Sequence, residues 1–181
     1  MLEGFDIEKY KSITPPGDYT FDTMQEIKAL TKIPINKDAV EKYDYFHDAF
    51  KEVAKRKGLD EDKVEEVCMA LSDEAHPFIM KLKDYFDRPR PKVIAKKMNI
   101  KMDDIEMESM KTPSYPSGHS AQGYLVGLVL SDMYPSAKKE FMQVANNISD
   151  SRNIAHAHYK SDSDFGKMLG KEMYEHIKSK A

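Results

Sequence analysis

Apolar residues recur along most of this chain at intervals of three and four, the period of one helical face, and no stretch alternates every second residue as a half-buried strand would. Phe21, Met24, Ile27, Ala29 and Leu30 set out a first helix, which Pro34 ends. Val40, Tyr43, Phe46, Phe50 and Val53 form the stripe of a second, capped by Asp38 and closed by Gly58 after a basic last turn. Asp60 opens a third through Val64, Val67, Met69 and Leu71. Ser72-Asp73 then restarts the chain as the cap of a fourth, whose core side is Phe78, Ile79, Leu82, Tyr85 and Phe86. It runs into Asp87-Arg88-Pro89-Arg90-Pro91, where the prolines forbid continuation.

Residues 92–111 pattern weakly and read as a loop with one or two short turns, long enough to lie over a site as a flap. Ser117 and Gly118 open a strongly apolar helix through Leu125 to Leu130, in which Gly123 and Gly127 let a neighbouring helix approach closely. Another helix starts at Pro135 and runs through Phe141, Val144, Ala145 and Ile148. A closing one carries Phe165, Met168, Leu169, Met173, Tyr174 and Ile177. The expected fold is all-α, a compact multi-helix bundle in a single domain over residues 1–181. Residues 1–18, ending in Thr14-Pro15-Pro16-Gly17-Asp18, read as an extended arm on its surface.

Composition narrows the function. A hydrophobic content of 40% over 181 residues suffices for one buried core. The net charge of -3, with both signs interspersed, gives no cationic face for a nucleic-acid polymer. The apolar run at 124–130 is far short of the roughly 20 residues of a membrane span. The single cysteine, Cys68, has no intrachain partner and reads as a buried, inert thiol. The first residues have no basic stretch followed by an apolar one, so a cytoplasmic protein is expected, or a periplasmic or secreted one if a leader has been removed. Monomer and homo-oligomer are both open.

Three segments carry candidate chemistry. Lys81 and Arg88, seven residues apart, can project from the same face of the fourth helix, one near its end. In Pro116-Ser117-Gly118-His119, a helix N-terminus exposes unpaired N–H groups suited to a phosphate-like anion, with His119 beside it. Ser151-Arg152 is followed by His158 and Asp162 in a stretch crowded with ionisable groups. His47 lacks a second ligand at helical spacing and does not read as a metal site.

Together these segments resemble the type 2 phosphatidic acid phosphatase superfamily. Its signature is Lys, six residues, Arg-Pro; then Pro-Ser-Gly-His; then Ser-Arg, five residues, His, three residues, Asp, and Lys81, Arg88-Pro89, the 116–119 turn, Ser151-Arg152, His158 and Asp162 fill it. Within it the chain is most similar to the soluble bacterial class A acid phosphatases: Ser114-Tyr115 precedes the turn, Gln122-Gly123 follows, and the helix ends in Pro135. The likeness covers about residues 70–175 and implies the helical fold shared by acid phosphatases and vanadium haloperoxidases. His156 departs from it, standing where the family commonly has glycine.

The resemblance implies a metal-independent, vanadate-inhibited phosphomonoesterase without cofactor, acting on small soluble phosphate esters. In that scheme His158 attacks phosphorus, Asp162 holds its other ring nitrogen, and His119 protonates the leaving oxygen. Lys81, Arg88 and Arg152, with Ser117 and Gly118, bind the phosphate. Ser151 is expected to brace Arg152 or the neighbouring loop, or to cap a helix, and His156 to stand behind the site residues or line the pocket. A vanadium haloperoxidase, a lipid or pyrophosphate phosphatase and a non-catalytic phosphate-binding protein remain alternatives.

Overall fold

The computed structural model describes residues 1–181. It contains helices and irregular segments only: α1 Phe21–Thr31, α2 Lys37–Asp44, α3 His47–Arg56, α4 Glu61–Phe86, α5 Pro91–Lys97, α6 Gly118–Met133, α7 Lys138–Ile154 and α8 Lys160–Ser179. Single 3-10 turns lie at Glu8–Tyr10, Glu108–Lys111 and Pro135–Ala137. No helix is long and apolar enough to cross a membrane.

The apolar helix α6 is the axis of the bundle, packed chiefly against α7 and α8 and then against α4. Glycines make those approaches close. A Cβ on Gly123 would lie 3.3 Å from Ile148, and one on Gly127 3.1 Å from Ala145, both on α7. On the other flank the glycines belong to α8: a Cβ on Gly166 would meet the Ser117 carbonyl oxygen at 2.6 Å, and one on Gly170 would run into the Ala121 carbonyl. Leu125, Val126 and Leu130 of α6 lie in the main core with Phe141, Ile148, Leu169 and Met173. Cys68 is buried in the same core, which pushes its thiol up to about 12.

Several elements depart from the sequence expectations. The expected third and fourth helices are one, α4, capped at Asp60, whose side chain accepts from Lys63 N. Val64, Cys68, Leu71, Ala75, Ile79 and Leu82 continue one buried stripe through the supposed restart at Ser72-Asp73, so packing overrides the local capping signal. Conversely the expected second helix breaks in two. Tyr45, at ψ 82°, leaves the helical region and turns the chain through an elbow between α2 and α3. Residues 92–111 contain the short helix α5, opened by Pro91 in its first turn, where proline is pre-organised.

The N-terminal segment is part of the core rather than a surface arm. Leu2, Phe5, Ile7 and Tyr10 are buried, Phe5 stands edge-on to Phe78, and the Tyr115 hydroxyl donates to the Ile13 carbonyl at 2.8 Å. A smaller cluster of Ile27, Leu30, Ile94, Ala95, Met102 and Tyr159 joins α1 and α5 to the start of α8.

Candidate active site

Four elements converge where α6 and α8 begin. Ser117 caps α6, its hydroxyl accepting from Ser120 N at 3.2 Å, and its own N–H donates to the Asp162 carbonyl at 3.1 Å. This ties the first turn of α6 to the first turn of α8. His119 stands in that first turn; its Nε2–H donates to the Asp44 main-chain carbonyl at 2.9 Å, and the Phe46 ring meets it edge-on. The elbow between α2 and α3 therefore packs directly on His119.

His158 is 3% exposed in the turn between α7 and α8. Its Nδ1 donates to Oδ2 of Asp162 at 3.0 Å, so Nε2 carries the lone pair, which accepts from Nη1 of Arg90 at 2.9 Å. Asp162 is fully buried; Oδ2 also accepts from Tyr159 N at 3.0 Å and from the Ser114 hydroxyl, and Oδ1 from Arg88 at 2.7 Å. Burial raises its carboxyl to about 6 against the opposing pull of Arg88, Ser114 and Tyr159 N. Burial, then Arg90, Lys83, Arg152 and His119, push the His158 imidazole well below the usual histidine range and keep the ring neutral. His119 is lowered by burial too, but hydrogen bonds and charge from Asp44 oppose that shift.

Three buried cations face this pair. Arg152, 1% exposed at the end of α7, donates through Nε to Ser151 Oγ at 3.1 Å and through Nη1 to Asp44 Oδ1 at 3.3 Å. Its Nη2 is buried without any partner. Arg90 is held by the carbonyls of Thr112, Ala157 and Ser109 at 2.8–3.1 Å. Lys83 donates to Thr112 Oγ1 at 2.9 Å and to the Pro113 carbonyl at 3.0 Å. Burial first, then repulsion from Arg90, lowers the Lys83 ammonium to about 7, and burial lowers Arg90 to about 10. A buried, unpaired guanidinium N–H among mutually repelling cations is a cradle built for an anion. A cavity of about 140 Å³ opens here, lined by Lys83, Gly118, His119 and His158, with His76, Met80 and Gln122 at its outer wall.

The sequence-derived site residues have four different outcomes. His119, His158, Arg152, Ser117, Gly118, Asp162 and Ser151 come together, Ser151 as the acceptor for Arg152 Nε. Lys81 does not. It is exposed on the opposite face of α4, beside a surface groove with Phe5, Glu8 and Asp84. Arg88 is buried and donates to Asp162 Oδ1, the carboxylate oxygen that does not meet His158. The residues two further on, Lys83 and Arg90, stand where Lys81 and Arg88 were expected, because the Lys83–Arg90-Pro91 spacing equals that of Lys81–Arg88-Pro89. Position on the helix distinguishes the two registers. Lys83 lies four residues after Ile79 on the buried stripe, whereas Lys81 is about 200° away.

His156 does not line the cavity. It takes a left-handed conformation, φ 57°, which suits the glycine usual there, and its buried ring points to the Asp103 carbonyl at 2.7 Å and the Ile33 carbonyl at 2.8 Å. Asp44 and Glu26 were missed altogether, since both reach the site from the first 60 residues and only tertiary contact reveals them. No group of three or more His, Cys, Asp or Glu side chains is placed to hold a metal ion.

The sequence profile of the PAP2 superfamily matches residues 67–171, the stretch that carries His119, His158 and the cations Lys83, Arg90 and Arg152. The match takes in more than half of the chain, which belongs to that superfamily. The chain is 39% identical over 88 residues to a non-specific acid phosphatase of Salmonella typhimurium, covering 49% of this chain and 35% of that protein. It is 36% identical over 59 residues to one of Providencia stuartii, covering 33% and 24%. The chain thus spans about a third or less of the length of these relatives. In structure it is similar to a transmembrane PAP2 type phosphatidylglycerolphosphate phosphatase from Bacillus subtilis, with a TM-score of 0.58, 16% identity and coverage of 99% and 96%. At that identity the likeness concerns the fold.

Proposed function

We propose that the protein is a phosphomonoesterase that hydrolyses small, water-accessible phosphate esters through a phosphohistidine on His158. The observation that carries this reading is the buried, unpaired Arg152 Nη2, set with Lys83 and Arg90 around the lone pair of His158. A phosphoryl dianion entering the cavity draws the Arg90 guanidinium onto its oxygens, which uncovers Nε2 for attack. The new bond joins Nε2 to phosphorus as the ester P–O bond breaks, and Asp162 stabilises the charge that develops on the ring through Nδ1–H. The departing alkoxide takes a proton from His119. In the second step water attacks phosphorus and gives its proton to His119, Nε2 leaves, and inorganic phosphate is released. Side-chain cations supply the charge stabilisation throughout, so no metal ion enters the scheme.

This chemistry is favoured below neutrality and limited on the acid side near 6, where Asp162 takes up a proton. The reaction needs His158 neutral and His119 protonated, and the site separates the two: Arg90 and Lys83 disfavour the cation on His158, while Asp44 favours it on His119. The Lys83 ammonium, at about 7, is present below that pH and lost above it, so the affinity of the free enzyme for a dianion falls as pH rises through neutrality. Rapid-quench kinetics with an aryl phosphate in the presence of a chelator test the proposal. A burst of acid-labile, protein-bound phosphate is expected, absent in His158→Ala and accumulating in His119→Ala, together with inhibition by vanadate. A phosphoenzyme that survives His158→Ala, or activity that requires an added divalent ion, overturns it.

A further inference from the structure

Arg88 is the one buried cation of the region bound to Asp162. It is 1% exposed and its guanidinium stacks 3.7 Å from the centroid of the Tyr159 ring. Nη1 donates to Asp162 Oδ1 at 2.7 Å and to Ser161 Oγ at 2.8 Å, and Nη2 donates to Glu26 Oε2 at 3.1 Å. Glu26, on α1 and outside the family match, accepts from Ser161 N at 2.7 Å and from the Ser161 hydroxyl at 2.8 Å. Carboxylate, guanidinium, carboxylate and imidazole thus follow one another from Glu26 through Arg88 and Asp162 to His158.

We propose that Glu26 and Arg88 form a charge-setting clamp behind Asp162: Arg88 holds Asp162 in its carboxylate form, and Glu26 both positions Arg88 and moderates its pull. The clamp deepens the phosphatase reading, since its purpose rests on His158 needing a bare Nε2. A proton on Oδ2 of Asp162 makes that oxygen a donor to Nδ1, the ring proton is then held on Nε2, and the lone pair is gone. An over-stabilised carboxylate is the opposite fault, because it pulls less on the Nδ1 proton. Arg88 sits between two acids, so its effect on Asp162 is intermediate.

Glu26 is the negative group in direct contact with Arg88 on this side, and Asp18 stands near the Tyr159 ring that stacks on Arg88. Around the Asp162–His158 pair stand Arg88 and Arg90 from the chain between α4 and α5, Lys83 from α4, His119 from α6 and Arg152 from α7, with the phenols of Tyr115 and Tyr159. Asp44 reaches Arg152 and His119 instead. Burial pushes the Asp162 carboxyl up, and Arg88 is the largest influence against that.

The clamp predicts shifts of opposite sign from its two members. Ring-nitrogen NMR of His158, assigned with His158→Gln, follows the titration of the pair as a unit. Glu26→Gln keeps an acceptor for Ser161 but removes the charge, and lowers the midpoint by about half a pH unit or more; Arg88→Met raises it by a similar amount. Arg88→Lys retains the charge and leaves the midpoint near the wild-type value, which keeps the test open if Arg88→Met does not fold. A rise in Glu26→Gln means that Glu26 is only an anchor for Arg88, and an unmoved midpoint means that it does not act on the pair; either result overturns the proposal. The measurement needs no turnover, so a failed clamp and a failed phosphatase reading are distinguishable.

Discussion

The family-matched region and the 66 residues before it contribute to one site with opposite charge. Residues 67–171 bring the cations Lys83, Arg88, Arg90 and Arg152, the histidines His119 and His158, and Asp162. The N-terminal third brings two acids, Glu26 behind the His158 pair and Asp44 beside His119. The first set can hold an anion and present a lone pair to it. The second set acts on the protonation of the first, one acid for each histidine. Anion handling and proton tuning are thus carried by different parts of the chain, and substitutions in the two should differ in kind.

The sharpest test of the first part compares two lysines of one helix. Lys83→Ala should lower kcat/KM for an aryl phosphate by about a hundredfold, the scale of losing one charge-stabilising donor, while Lys81→Ala stays within about twofold. Comparable losses in both would return Lys81 to the site. For the second part, Asp44→Asn should cost roughly tenfold in kcat/KM and also change the pH profile. Its carboxylate favours protonated His119, so removing it lowers the His119 pKa, and the alkaline limb of activity moves to lower pH. A uniform loss at every pH would make Asp44 a purely steric neighbour. The smallest effect is expected at His156→Gly, which relieves a left-handed residue but gives up two carbonyl contacts outside the cavity. Activity within about threefold of wild type is expected, and an inactive, folded variant would bring His156 back to the chemistry.

What the sequence discloses about this molecule follows the range over which each signal acts. The cap at Ser117 and the apolar run behind it are local, and α6 starts there. The Ser151-Arg152, His158, Asp162 spacing spans one helix end and the next helix start, so its residues meet as their spacing suggests. The Lys-Arg-Pro spacing was ambiguous because two overlapping registers satisfy it, and only the phase of the buried stripe on α4 separates them. The N-terminal segment was opaque for a different reason. Leu2, Phe5, Ile7 and Tyr10 follow no helical or strand period, so their burial depends on a surface that other helices create. Glu26 and Asp44 look like ordinary helix-surface acids until α1 and the elbow after α2 are docked.

The backbone contact between α6 and α8 has a consequence for how this protein can vary. Where a glycine of one helix rests on the carbonyls of another, there is no rotamer to adjust and no side chain to shorten. The separation between the turn that carries His119 and the turn that carries Asp162 is therefore a fixed gauge, set by atomic radii. Drift on the solvent faces of either helix leaves that gauge untouched, and the cavity residues His76, Met80 and Gln122 can change while the gauge stays the same.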